Sequence, residues 1–128
     1  MKKVWISALA IAITVGVAAS SVDAASASVT SRKSENAAKE TRVIGEGRYI
    51  KFTCTYAGTA SNVASNGYCE LTKISNASTR TLNVGGPGTH SPGTESVDYY
   101  MDKGAQYILK ADVEITAPSN TSVTASIR

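Results

Sequence analysis

The chain has 128 residues, of which 42% are hydrophobic, 18% charged and 6% aromatic. That is enough for one small domain and too little for a two-domain enzyme. Its formal charge of +3 is spread singly along the chain, whereas gripping a phosphate backbone takes a concentrated cationic face, so no nucleic-acid partner is expected.

Lys2 and Lys3 open the chain, Val4 to Ala19 form an uncharged and mostly apolar run, and small residues continue to Ala27. This three-part layout predicts a secretory signal peptide over residues 1–24. As a helix, the 16-residue run spans only about 24 Å, short of the roughly 30 Å that a permanent membrane span must cross. Cleavage is therefore expected, leaving no membrane span. Val22-Asp23-Ala24 and Ala25-Ser26-Ala27 both present small residues at the first and third positions before a cut, and the cut after Ala24 lies nearer the apolar run. Losing Lys2, Lys3 and Asp23 takes the cations from 13 to 11 and the anions from 10 to 9, a net charge of +2. No Cys stands at the leader's end to accept a lipid, and the chain closes on Ser126-Ile127-Arg128 without a hydrophobic tail. A secreted product is expected, free or held at a surface by non-covalent contacts. The dibasic start resembles that of many bacterial secreted proteins.

Residues 25–41 read as a flexible polar linker or pro-segment. Ser28 to Thr41 are almost all small, polar or charged, and so bury too little apolar area to offset ordering entropy. From Arg42 the apolar residues recur with period two, the mark of strands with one buried face. Ile50, Phe52, Cys54 and Tyr56 alternate with Tyr49, Lys51, Thr53 and Thr55. Cys69 and Leu71, Leu82 and Val84, then Val97, Tyr99 and Met101 continue the pattern. Ala105, Tyr107, Leu109, Ala111, Val113 and Ile115 make its clearest stretch, and Val123, Ala125 and Ile127 its last.

Asp102-Lys103-Gly104 predicts a three-residue hairpin loop with Gly104 at positive φ, pairing Met101 with Ala105, Tyr99 with Tyr107 and Val97 with Leu109. Ala117-Pro118-Ser119-Asn120 predicts the next turn, bringing Val113 opposite Ala125. The Gly- and Pro-rich segment from Gly85 to Gly93 reads as a long loop. Six to seven short antiparallel strands over residues 42–128 cannot bury an apolar face as one sheet. The expected fold is all-β, a small antiparallel β-sandwich of immunoglobulin-like or jelly-roll type, or alternatively a small open β-barrel. Gly104 to Ala111 resembles the penultimate strand of secreted accessory sandwich domains, including those appended to bacterial peptidases.

Cys54 and Cys69 are the only cysteines, and both face inward by parity. In an oxidising compartment such a pair predicts a disulfide. Their spacing is not Cys-x-x-Cys, and the single His, His90, cannot complete a four-ligand zinc site, so no metal site is expected. No catalytic residue is assigned. His90 sits among turn residues that do not orient an imidazole, and the pairs Glu95 with Asp98 and Asp112 with Glu114 read as solvated charge rather than a glycosidase dyad. No motif calls for a cofactor.

The remaining candidate is a small binding patch of Tyr100, Ile108, Asp98 and Lys110, at outward parity on the expected hairpin, where an exposed ring could stack on a sugar or meet a partner. The sequence thus predicts a non-enzymatic extracellular binding or surface-associated module, whose partner is an extracellular protein or a cell-wall polymer. The alternative is a secreted antagonist, a protease inhibitor or antibacterial protein, presenting the loop closed by Cys54 and Cys69. Mass spectrometry of the exported protein should find Ala25 at the N-terminus; an intact Met1 would contradict cleavage.

Overall fold

The computed structural model describes residues 21–23, 26–58, 65–114 and 117–128. Among these residues nine strands run in chain order: β1 (Ser21–Asp23), β2 (Ala27–Arg32), β3 (Lys39–Ile44), β4 (Arg48–Ala57), β5 (Asn66–Lys73), β6 (Ser78–Gly85), β7 (Thr94–Met101), β8 (Gln106–Val113) and β9 (Ser122–Ile127). One 3₁₀ turn at Lys33–Glu35 separates β2 from β3.

Eight of these strands form two antiparallel sheets of four: sheet I in the order β3-β8-β5-β6 and sheet II in the order β2-β9-β4-β7. The three-residue β1 adds in parallel to the outer edge of β3. It falls in the segment read as a leader, and both four-stranded sheets are complete without it. The antiparallel pairs nest as β2 with β9, β3 with β8, β4 with β7 and β5 with β6. Such a folded-back ribbon wrapped into two layers is a jelly roll, which resolves the choice between sandwich types.

The inward residues are those that period two picks out. Ile50, Phe52 and Cys54 of β4, Cys69 and Leu71 of β5, Tyr107, Leu109 and Ala111 of β8, and Val123, Ala125 and Ile127 of β9 are all buried in one core. Tyr56, Val97, Tyr99 and Ala105 are half-buried against it. Ile115 lies outside the described residues.

Three expectations are corrected. There are eight sandwich strands rather than six or seven, because the segment read as a flexible linker contains β2 and the start of β3. Its side chains are poor in apolar area, but its backbone is paired along β9 and β8. Ser31, the buried inward residue of β2, donates its hydroxyl to the Ala37 carbonyl at 2.9 Å.

Asp102-Lys103-Gly104 does not close the expected hairpin. β7 belongs to sheet II and β8 to sheet I, so this turn carries the chain from one layer to the other. Gly104 does take positive φ, at 80°. Tyr99 and Tyr107 do meet, edge to face at 6.2 Å, but across the core rather than as ladder partners. The Asp102 amide donates to the Tyr107 hydroxyl at 2.8 Å, which ties the corner to the core. β8 and β9 likewise lie in different sheets, so Val113 and Ala125 are not the expected ladder partners. Six of the seven connections among the eight strands change layer, and only β5 to β6 is a hairpin.

Cys54 and Cys69 form the expected disulfide, with Cα atoms 5.7 Å apart. It joins an inner strand of sheet II, β4, to an inner strand of sheet I, β5. Near the opposite end of β4, the corner after β3 packs on the corner after β7. The Gly45 amide donates to the Ala105 carbonyl at 2.8 Å, and the Gly104 amide to the Gly45 carbonyl at 2.9 Å. A Cβ at Gly45 would collide with the Asp102 carbonyl oxygen and lie 3.1 Å from Met101 Cβ.

Replacing Cys54 and Cys69 together by Ala should lower unfolding free energy in urea by about 3 kcal/mol; an unchanged midpoint would contradict the load assigned to the bridge. Gly45→Ala should cost about 1–3 kcal/mol by overpacking, whereas Gly93→Ala, where an added Cβ meets nothing within 4 Å, should leave the midpoint in place. Equal midpoints for the two variants would show that the corner packing is wrongly described.

Candidate binding face

The four residues expected to share a patch fall on opposite outer faces of the sandwich. Ile108 and Lys110 lie on β8 in sheet I, and Asp98 and Tyr100 on β7 in sheet II. The hairpin that would have joined them does not exist.

On sheet I, Ile108 is half-buried between its cross-strand neighbours Arg42 and Thr72. Lys110 lies over the Tyr68 ring at 5.7 Å, with Glu70 at 3.9 Å. The Tyr68 hydroxyl donates to Asp112 at 3.0 Å. Burial, and then the Asp112 carboxylate that accepts this hydrogen bond, push the Tyr68 hydroxyl above its ordinary pKa. Burial pulls Lys110 down, but Tyr68, Glu70 and Asp112 outweigh it and the net shift is upward. Both groups therefore keep their protons at neutral pH and work as fixed donors. Beside them a cleft of about 460 Å³ is lined by Ser31, Arg32, Lys33, Tyr68, Asp112 and Glu114, among others. Its cations and carboxylates offset one another.

The outer face of sheet II is different in kind. Tyr49 and Tyr100 are cross-strand partners on β4 and β7, with rings in edge contact at 5.2 Å. They are 68% and 47% exposed, two of the three large hydrophobic residues that stand out among the described residues. Next along the same two strands come Lys51 and Asp98, ion-paired at 2.9 Å.

Beyond them lie two rows of hydroxyls running across all four strands. One is Ser28, Ser126, Thr53 and Ser96; the other is Thr30, Thr124, Thr55 and Thr94. Thr53 and Ser96 are hydrogen-bonded at 2.8 Å, and Thr30 and Thr124 at 2.9 Å. Period two sends these side chains outward for the same reason that it sends Phe52, Ala125 and Ile127 inward. Strand spacing makes each row roughly 14 Å long and sets the rows about 7 Å apart.

The other candidates are placed apart. His90 is exposed in the loop after β6. Glu95 accepts from the Asn83 amide at 3.2 Å and has opposite parity to Asp98 on β7. Glu114 accepts from the Asn66 amide at 3.1 Å. Of the loop closed by the disulfide, residues 59–64 lie outside the described residues. Among the described residues no group of three or more His, Cys, Asp or Glu side chains is placed to hold a metal ion. No helix there is long and apolar enough to cross a membrane. Comparison with known proteins finds no family model that matches the chain and no match among curated proteins.

Proposed function

We propose that this chain is a small exported bacterial binding module, non-catalytic, that attaches to a component outside the cell through the outer face of sheet II. The observation that carries this reading is the exposed Tyr49–Tyr100 pair. Two adjacent large rings left in water on a strand surface are the feature by which interaction sites stand apart from ordinary protein surface. The disulfide supports export, because such bonds persist in oxidising compartments.

The support around the rings is rigid. Both tyrosines stand on paired strands rather than loops, and β4 is an inner strand tied to sheet I by Cys54. A ligand meeting this face orders little of the protein, so little of the binding energy is lost to entropy.

Sedimentation with isolated bacterial cell walls tests the assignment. Wild-type protein and Ile108→Ala, altered on the opposite face, should pellet with the walls, whereas Tyr49→Ala/Tyr100→Ala should lose binding at least about tenfold, the order of one or two lost aromatic contacts. Equal sedimentation of all three proteins would show that the tyrosine pair is not the contact.

A further inference from the structure

Resting on the reading just given, we infer that the ligand of this face is an uncharged, flexible polysaccharide, with one sugar ring stacked on the Tyr49–Tyr100 pair and the following rings lying along β4 and β7 over the hydroxyl rows. Four cross-strand pairs succeed one another down these strands: Tyr49 with Tyr100, Lys51 with Asp98, Thr53 with Ser96, and Thr55 with Thr94. At the usual rise per residue they extend over roughly 20 Å, a track for a chain and not a pocket for one small molecule.

The chemistry of the track selects the class. A pyranose ring presents a face of C–H groups that packs on an aromatic ring, and a rim of hydroxyls. The track offers both counterparts in sequence: two exposed rings, then the hydroxyls of Thr53, Ser96, Thr55 and Thr94, with four more beside them on β9 and β2. Each hydroxyl can donate and accept, so it can match a partner whose hydroxyls do the same.

A polyanion fits poorly. Among the described residues of β4 and β7 the cation on the track, Lys51, is paired with Asp98, and the exposed Arg128 beside it, just past the end of β9, adds a single charge and not the concentrated cationic face that a polyanion requires. A protein partner also fits poorly, since interface cores are apolar and aromatic, and hydroxyls covered without partners cost about 1–3 kcal/mol each. A flat crystalline surface is disfavoured by shape. Neighbouring strands turn by roughly 20–25°, so the rows twist through about 60–75° across four strands, and a flexible polymer can follow that twist.

Affinity electrophoresis in gels containing a soluble uncharged polysaccharide tests the inference. Xylan, galactomannan and mixed-linkage glucan would be tried singly, with alginate as the polyanion and with native wall preparations as a separate arm. At least one uncharged polymer should retard the wild type, equally at low and high salt. Tyr49→Ala and Tyr100→Ala should each weaken that binding about tenfold or more. Thr53→Val/Thr55→Val, which keeps side-chain shape and strand preference while removing two hydroxyls, should also weaken it by about tenfold or more.

Retardation by alginate alone, or binding that disappears at high salt, would overturn the polysaccharide class. So would failure of every uncharged polymer while walls are still bound in a Tyr49-dependent way, which would leave the binding face itself standing. Binding unaffected by either tyrosine substitution would overturn the face as well. Full affinity in Thr53→Val/Thr55→Val would remove the hydroxyl rows from the site.

Discussion

Two sheets facing each other across one buried apolar layer is the constraint on which the rest of the molecule depends. Each of the eight strands must hold one face against that layer, so its other face is committed to the outside. The disulfide between β4 and β5 fixes the layers to each other through inner strands. Phe52, Leu71, Tyr107 and Leu109 fill the space between. With the core satisfied in this way, the outward positions of sheet II need contribute nothing to it, and they are free to carry two bare tyrosines and two rows of hydroxyls.

The inside-outside division was legible in the chain. Ile50, Phe52 and Cys54 alternate with Tyr49, Lys51 and Thr53, and each falls on the side that period two assigns. Strand partnership was not legible, and the reason is physical. Alternation states which face meets the core, but strands on both sides of a sandwich meet the same core. Tyr99 and Tyr107 share that interior in either arrangement. Gly104 at positive φ serves a hairpin loop and a layer-crossing corner equally well. The polar stretch holding β2 was missed because its order comes from backbone pairing with β9, which leaves no apolar signature.

The candidate binding face was half visible for the same reason. Parity placed Tyr49 and Tyr100 outward, yet nothing local says that residues 49 and 100 lie side by side, since that follows only from β4 pairing with β7. Thr30, Thr124, Thr55 and Thr94 come from four strands separated widely in sequence, and they become a row only when sheet II assembles in its jelly-roll order. The patch expected from Tyr100, Ile108, Asp98 and Lys110 failed because it borrowed its geometry from a hairpin that the fold replaces with a crossing.

Core, corners and the proposed binding face all follow from the strand order, and backbone proton contacts in solution NMR test it most directly. The jelly-roll order predicts cross-strand contacts from Phe52 to both Val97 and Ile127, and from Leu109 to both Thr41 and Leu71. A ladder of backbone contacts joining Tyr99 to Tyr107 and Val97 to Leu109 would contradict it, because β7 and β8 would then be a hairpin in one sheet and the tyrosine pair would lose its platform.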